Sequence, residues 1–189
     1  NDKAGGYLAM RAGSFSTWNP YGDINVPLAD GIAARLTGEY QSNDSWIDKV
    51  HGERWSVQPS VSFQIDPVTD LLLQGQFSHR SNLEYSGLPA DAALAGTIDR
   101  NAFPGSPIDQ PLTTNDIRMG QATLRHAFSD RLKLTVSGRY YSSKINEQGS
   151  FVYPGLVPTG TVAPLYDVFP ITMRNRTKEA TVDANLAGD

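Results

Sequence analysis

The sequence predicts an all-β chain, an antiparallel up-and-down meander of about eight strands that forms part of a larger transmembrane β-barrel. Three observations predict it. Long stretches alternate apolar and polar residues with a period of two, as strand side chains do when they point to opposite faces. The large aromatics Trp18, Tyr40, Trp55 and Tyr140 stand on the apolar parity near one end of these stretches and not at the other. Tight turns join the stretches at one end and long polar connections at the other, the layout of a membrane barrel with an aromatic girdle.

Residues 7–17 and 18–28 form an opening pair, with Trp18, Ile24, Val26 and Leu28 on one parity and Asp23 and Asn25 on the other. Next, Ile32, Ala34, Leu36, Gly38 and Tyr40 oppose Ala33, Arg35, Thr37, Glu39 and Gln41. The clearest stretch sets Trp55, Val57, Pro59, Val61, Phe63 and Ile65 against Arg54, Ser56, Gln58, Ser60, Ser62 and Gln64. Leu71, Leu73, Gly75 and Phe77 then oppose Leu72, Gln74, Gln76 and Ser78. Residues 117–128 place Gly120, Ala122, Leu124, His126 and Phe128 against Gln121, Thr123 and Arg125. Leu132, Leu134, Val136, Gly138 and Tyr140 oppose Lys133, Thr135, Ser137, Arg139 and Tyr141, and 176–186 closes the set with Ala180, Val182, Ala184 and Leu186 on one side. Short turns at 29–31, 66–70 and 129–131 carry residues that favour tight reversals. Long connections are predicted at about 43–53, 81–116 and 142–175, with a helical turn or two at 90–95. Barrels of this kind keep short turns in the periplasm and long loops outside, which orients the sheet.

Composition agrees. Only 39% of the 189 residues are apolar and 19% charged, which suits a sheet with one greasy and one hydrated face better than a helical globule. The net charge of −4 argues against nucleic acid, whose phosphates need a basic footprint. The absence of cysteine removes disulfides and thiolate metal sites. No run approaches the roughly 18 apolar residues of a membrane helix. The chain opens on Asn1 without a signal-peptide pattern, so a partial chain is expected. A soluble β-sandwich also alternates, but aromatics at one rim, loops beyond about 15 residues and Gly38, Gly75 and Gly138 on the apolar face weigh against it. A small barrel closing on its own eight strands is the structural alternative.

His51, His79 and His126 share no metal-ligand spacing, and no phosphate loop, nucleophile elbow or zinc-helix motif occurs. Neither an enzyme nor a cofactor is expected. Arg35, Glu39, Arg80 and Arg139, with Arg54, Arg125, Lys133, Glu179 and Asp183, fall on the polar parity and are expected to line the lumen. Charge of both signs marks that face as wet, because lipid penalises unpaired charge. The 81–116 connection carries Tyr85, Arg100 and Phe103, and 142–175 carries Tyr153 and Tyr166. Aromatic residues with arginine are common in ligand-contacting surfaces, so these are the candidate ligand contacts. The alternative is that the loops pack on themselves.

The segments Leu83-Glu84-Tyr85-Ser86-Gly87-Leu88-Pro89 and Arg100-Asn101-Ala102-Phe103-Pro104-Gly105-Ser106-Pro107, followed by His126-Ala127-Phe128-Ser129-Asp130 and Arg139-Tyr140-Tyr141, resemble the barrel of TonB-dependent siderophore receptors. Gly13-Ser14-Phe15 with Gly22-Asp23-Ile24-Asn25-Val26-Pro27-Leu28 is similar to that family's first barrel hairpin. Arg35-Leu36-Thr37-Gly38-Glu39-Tyr40 with Ser45-Trp46-Ile47-Asp48 resembles its next strand and loop. The resemblance implies a 22-stranded barrel in the outer membrane of a Gram-negative bacterium, filled by a plug domain and taking up ferric siderophores with energy delivered by TonB. Residues 1–189 would supply about the first third of that barrel. The plug and the TonB contact would lie in parts absent from this chain.

Overall fold

The computed structural model describes residues 3–105, 108–157 and 165–188, with side chains for all of these except 153–157 and 165–167. Eight strands run β1 Gly5–Gly13, β2 Thr17–Ala29, β3 Ile32–Asp44, β4 His51–Asp66, β5 Thr69–Asn82, β6 Thr113–Ala127, β7 Leu132–Val157 and β8 Leu165–Gly188. One short helix, α1 Ala90–Leu94, lies in the β5–β6 connection. The strands form one sheet in sequence order, each antiparallel to its neighbour. β1 and β8 are its two edges and do not pair with each other, so the described residues form an open sheet rather than a closed eight-stranded barrel.

The registers place the apolar parities on a common face. Val26 pairs with Ala34, Ala34 with Val61, and Val61 with Leu73. On the neighbouring row Phe63 pairs with Leu71, Leu71 with Leu124, Leu124 with Val136, and Val136 with Ala184. Among the described residues nothing packs over this face: Leu36 is 48% exposed, Leu73 40% and Val182 82%. Among the described residues only Ile47, Leu83 and Ala92 are buried apolar side chains, and all three lie outside the sheet's apolar face. A sandwich would bury Val57, Val61 and Phe63 beneath a second sheet, and no second sheet is present among the described residues. An uncovered apolar surface of this extent needs a nonaqueous neighbour.

The connections differ from expectation mainly on the long-loop side. The β1–β2 turn occupies 14–16, with Phe15 and Ser16 at φ 58° and 52°. The β3–β4 connection contracts to 45–50 and β5–β6 to 83–112. The predicted 142–175 loop is for the most part strand, because β7 continues to Val157 and β8 begins at Leu165.

Two local devices fit the strands together. Pro59 has no N–H to give the ladder, and its ring leans over β5, where a side chain at Gly75 would meet Pro59 Cγ at 3.1 Å. At the short-turn end Gly31 sits at φ +71°, and an added Cβ would lie 2.9 Å from the Gln64 carbonyl oxygen. The Gln64 amide donates to the Gly31 carbonyl at 2.6 Å, tying turn to strand. Gly31→Ala is therefore expected to cost about 1–2 kcal/mol, the left-handed penalty for a residue with a Cβ. Asp30→Ala, by contrast, stays within about 0.5 kcal/mol as an ordinary surface change. Urea unfolding of the reconstituted full-length protein checks the difference.

Candidate functional site: the membrane boundary, the lumen wall and the outer cap

Rows of paired residues on the apolar face show where this face stops being apolar. Descending from the long-loop end, the first row runs Trp18, Ser42, Glu53, Ser81, Thr114, Asn146, Arg174. The second runs Tyr40, Trp55, His79, Asp116, Lys144, Arg176. The third contains Val57, Phe77, Arg118, Ser142, Lys178, and the fourth Gly75, Gly120, Tyr140, Ala180. The boundary aromatic sits in the first row on β2, the second on β3 and β4, the third on β5 and the fourth on β7. Below this diagonal the outward parity of the eight strands carries no Asp, Glu, Lys or Arg; above it, charged residues appear on β3, β4, β6, β7 and β8.

The slope of the diagonal measures strand tilt. Adjacent rows on one face are two residues apart, so three rows span about 20 Å along the strands. The five interstrand steps from β2 to β7 span about 24 Å at roughly 4.8 Å each. Their ratio gives an inclination of about 40°, within the 35–45° of outer-membrane barrels. The girdle is also physically joined. The Trp18 and Tyr40 rings stand 5.0 Å apart, Trp55 stacks on His79 at 6.4 Å, and the Tyr40 hydroxyl donates to Glu53 at 3.0 Å. Trp18, Tyr40, Trp55 and Tyr140 thus fall along one diagonal of the sheet.

The opposite face carries cross-strand ion pairs. Arg35 Nε donates to both Asp23 carboxylate oxygens at 3.0 and 2.8 Å, and Thr37 adds a hydroxyl at 2.6 Å. Arg139 reaches Glu179 at 2.9 Å, Arg54 reaches Glu39 at 3.8 Å, and Arg125 reaches Asp70 at 3.5 Å. Arg80 stands directly opposite Arg54 and is exposed, so two cations face the same space near the long-loop end. Near the same end Arg11 lies 4.3 Å from the Tyr21 ring centre.

The long connections are stitched together into a cap. The Asp48 amide donates to the Asn101 carbonyl at 2.7 Å, and Asn101 Nδ2 returns a bond to Asp48 Oδ1 at 2.9 Å. The Leu83 amide donates to the His51 carbonyl at 3.0 Å. Ser86 donates its hydroxyl to the Ser150 carbonyl on β7. Thr113 Oγ1 donates to the Gln148 carbonyl at 3.0 Å. Within this cap Tyr85 and Phe103 meet, with ring centres 6.0 Å apart, and burial pushes the Tyr85 phenol above its ordinary pKa. Arg100 is exposed on the same connection. Tyr153 and Tyr166 belong to β7 and β8 rather than to a loop, and their side chains lie outside the described residues.

Asn101→Ala removes one side-chain bond between two connections, worth about 1 kcal/mol. Faster protease cleavage within 83–112 is expected, with no change in the denaturant midpoint of the sheet. Equal cleavage rates would show that the connections are not coupled through this residue.

Sequence reading weighed His79 only as a metal ligand and missed its pairing with Asp116, whose side chain it meets at 2.8 Å on the outward face. The available signal was parity: both continue the outward series of their strands past the last apolar residue.

No protein-family model matches the chain. It is 30% identical over 135 residues to the metal-pseudopaline receptor CntO of Pseudomonas aeruginosa, covering 70% of this chain and 19% of that protein. It is 30% identical over 102 residues to the ferrioxamine receptor of Yersinia enterocolitica, covering 53% of this chain and 14% of that protein. The chain thus spans about a fifth or less of the curated relatives it matches. Its fold superimposes over its full length on 31% of the ferric-catecholate import receptor Fiu of Escherichia coli, with a TM-score of 0.88 at 22% identity. Over 98% of its length it superimposes on 27% of the pyoverdine outer-membrane receptor FpvA of P. aeruginosa, with a TM-score of 0.81 at 16% identity.

Proposed function

We propose, on the premise that this chain is a homologue of outer-membrane siderophore receptors, that residues 1–189 build about the first third of the barrel of a TonB-dependent receptor for ferric siderophores. One observation carries the reading. The chain is an open, lipid-matched sheet whose aromatic boundary slopes as a tilted membrane strand requires, and its fold is coextensive with a barrel segment of such receptors. Unpaired sheet edges are costly in hydrocarbon, where no water satisfies backbone groups. β1 and β8 therefore need further strands, as a larger barrel provides.

In this reading the protein carries no catalysis. The apolar face anchors it in the outer membrane of a Gram-negative bacterium. The inward face with Arg35, Glu39, Arg80 and Arg139 lines a lumen occupied by a plug domain, through which TonB acts. The cap with Tyr85, Arg100 and Phe103, together with Tyr153 and Tyr166, forms the outer ligand vestibule, and the facing pair Arg54 and Arg80 favours anionic chelates.

The test is uptake of radioactive iron as ferrioxamine B or as a ferric catecholate by cells whose only such receptor is the full-length protein. Uptake that disappears when TonB is deleted is the expected result. Recovery of the protein in the soluble fraction, or no uptake of either chelate above receptor-free cells, would overturn the proposal.

A further inference from the structure

Most cations on the lumen side are paired: Arg35, Arg54, Arg125 and Arg139 each reach a carboxylate, while Arg11, Arg80 and Lys133 reach none among the described residues. On the outward side, above the aromatic diagonal, Arg118, Lys144, Arg174, Arg176 and Lys178 have no ion pair among the described residues. All five are exposed, and they crowd onto three consecutive rows of β6, β7 and β8.

Crowding makes the missing anions costly. Lys144 and Arg176 are direct cross-strand partners, and like charges placed opposite each other destabilise a sheet. Lys178 and Arg174 lie one row to either side of Arg176. Asp116, the one outward carboxylate in these rows of β6–β8, is the direct cross-strand partner of Lys144 and also meets His79 at 2.8 Å, so a single anion stands among five cations. In the same rows the outward positions of β3 and β4 hold Ser42, Glu53, Tyr40 and Trp55, so the basic patch is confined to one sector and is not a uniform feature of the rim. Its height is also fixed. It begins one row above Tyr140 and Ala180, where hydrocarbon ends and headgroups begin.

We infer that this patch is a docking site for the phosphorylated headgroup of an outer-leaflet glycolipid. Three rows spaced about 7 Å apart present cations at the span of a diphosphorylated sugar pair, and phosphate oxygens supply the multiple acceptors that Arg and Lys lack here. The acyl chains of the same molecule would lie along the apolar face below, against Val182 and Leu186. The inference rests on the membrane placement proposed above, and heat-modifiable migration of the folded protein on gels reports that placement separately.

The experiment uses the full-length protein in detergent, titrated with diphosphorylated lipid A and with the same lipid stripped of both phosphates, followed by native mass spectrometry. The phosphorylated lipid is expected to bind at least tenfold more tightly, with an advantage that shrinks as salt rises. K144Q/R176Q/K178Q should abolish that preference. The charge-keeping K144R/R176K/K178R should retain it, as should R131Q/K133Q at the other end of the strands. Equal affinity for the two lipids, or an undiminished preference in a heat-modifiable K144Q/R176Q/K178Q protein, overturns the inference. If that triple variant does not fold, K178Q alone must weaken the preference at least twofold, and no change there also overturns it. A protein that is not heat-modifiable and partitions into buffer would instead overturn the membrane placement.

Discussion

Replacing Val61 by arginine is expected to destabilise the membrane-inserted protein by about 2–4 kcal/mol, whereas Ser62→Arg costs far less. Val61 points outward, paired on that face with Ala34 and Leu73. It lies six residues below Trp55 on β4, about 20 Å along the strand at roughly 3.4 Å per residue. At an inclination near 40° this becomes about 16 Å of depth in an apolar band about 25 Å tall. The new guanidinium would therefore lie near the middle of the hydrocarbon, where snorkelling is least effective. Ser62 occupies the hydrated face, paired with Ala33 and Leu72, and an added cation there meets water. Urea titration of the reconstituted full-length protein measures both, and equal losses would reverse the assignment of faces.

The second large effect is expected at the cap. Tyr85→Ala with Phe103→Ala should weaken binding of the cognate ferric siderophore by about a hundredfold, roughly 2.7 kcal/mol, without moving the unfolding midpoint of the sheet. These rings pack on each other in the β5–β6 connection, which also holds the buried Leu83 and Ala92. Their loss would remove aromatic surface and loosen the connection that carries Arg100. Aromatic anchors of this kind commonly cost 2 kcal/mol or more when truncated. Fluorescence quenching titrations measure the affinity; unchanged binding would reduce the pair to packing within the loop.

Most of the sheet was legible in the sequence for a physical reason. Between Trp55 and Ile65 every outward residue is apolar and every inward one is polar, so the period of two is unmistakable. The same contrast placed Leu132 to Tyr141 and residues 32–40. It vanishes beyond Tyr140, which is why the upper halves of β7 and β8 read as loop. There both faces are hydrated. Glu147 pairs with Met173, Gly149 with Ile171 and Phe151 with Phe169, while Gln148, Ser150 and Thr172 stand on the other parity. Apolar residues thus occur on both parities, Val152 and Val168 outward, and the clean alternation of the lower strands is lost. Pro170 within β8 further disguised a strand, since proline lacks the ladder donor.

The cap was legible in part. Tyr85 and Phe103 were singled out for aromatic character and the structure brings them together, but Arg100 makes no recorded contact with either ring. The bonds through Asn101, Ser86 and Thr113 depend on how strands already in register deliver distant connections to one another. No local sequence signal encodes that proximity.

The lean of the strands sets a girth. At about 4.8 Å spacing and roughly 40° of inclination, each strand occupies about 6 Å of circumference, so eight account for only about 50 Å. Curled into a complete ring, that perimeter would enclose a bore about 8 Å in radius, which side chains alone would occlude. Arg35, Arg54 and Arg139 instead keep about half of their side-chain surface open, at 56%, 51% and 46%. The sheet stays open instead of rolling up on itself, and solvent reaches its inward cations.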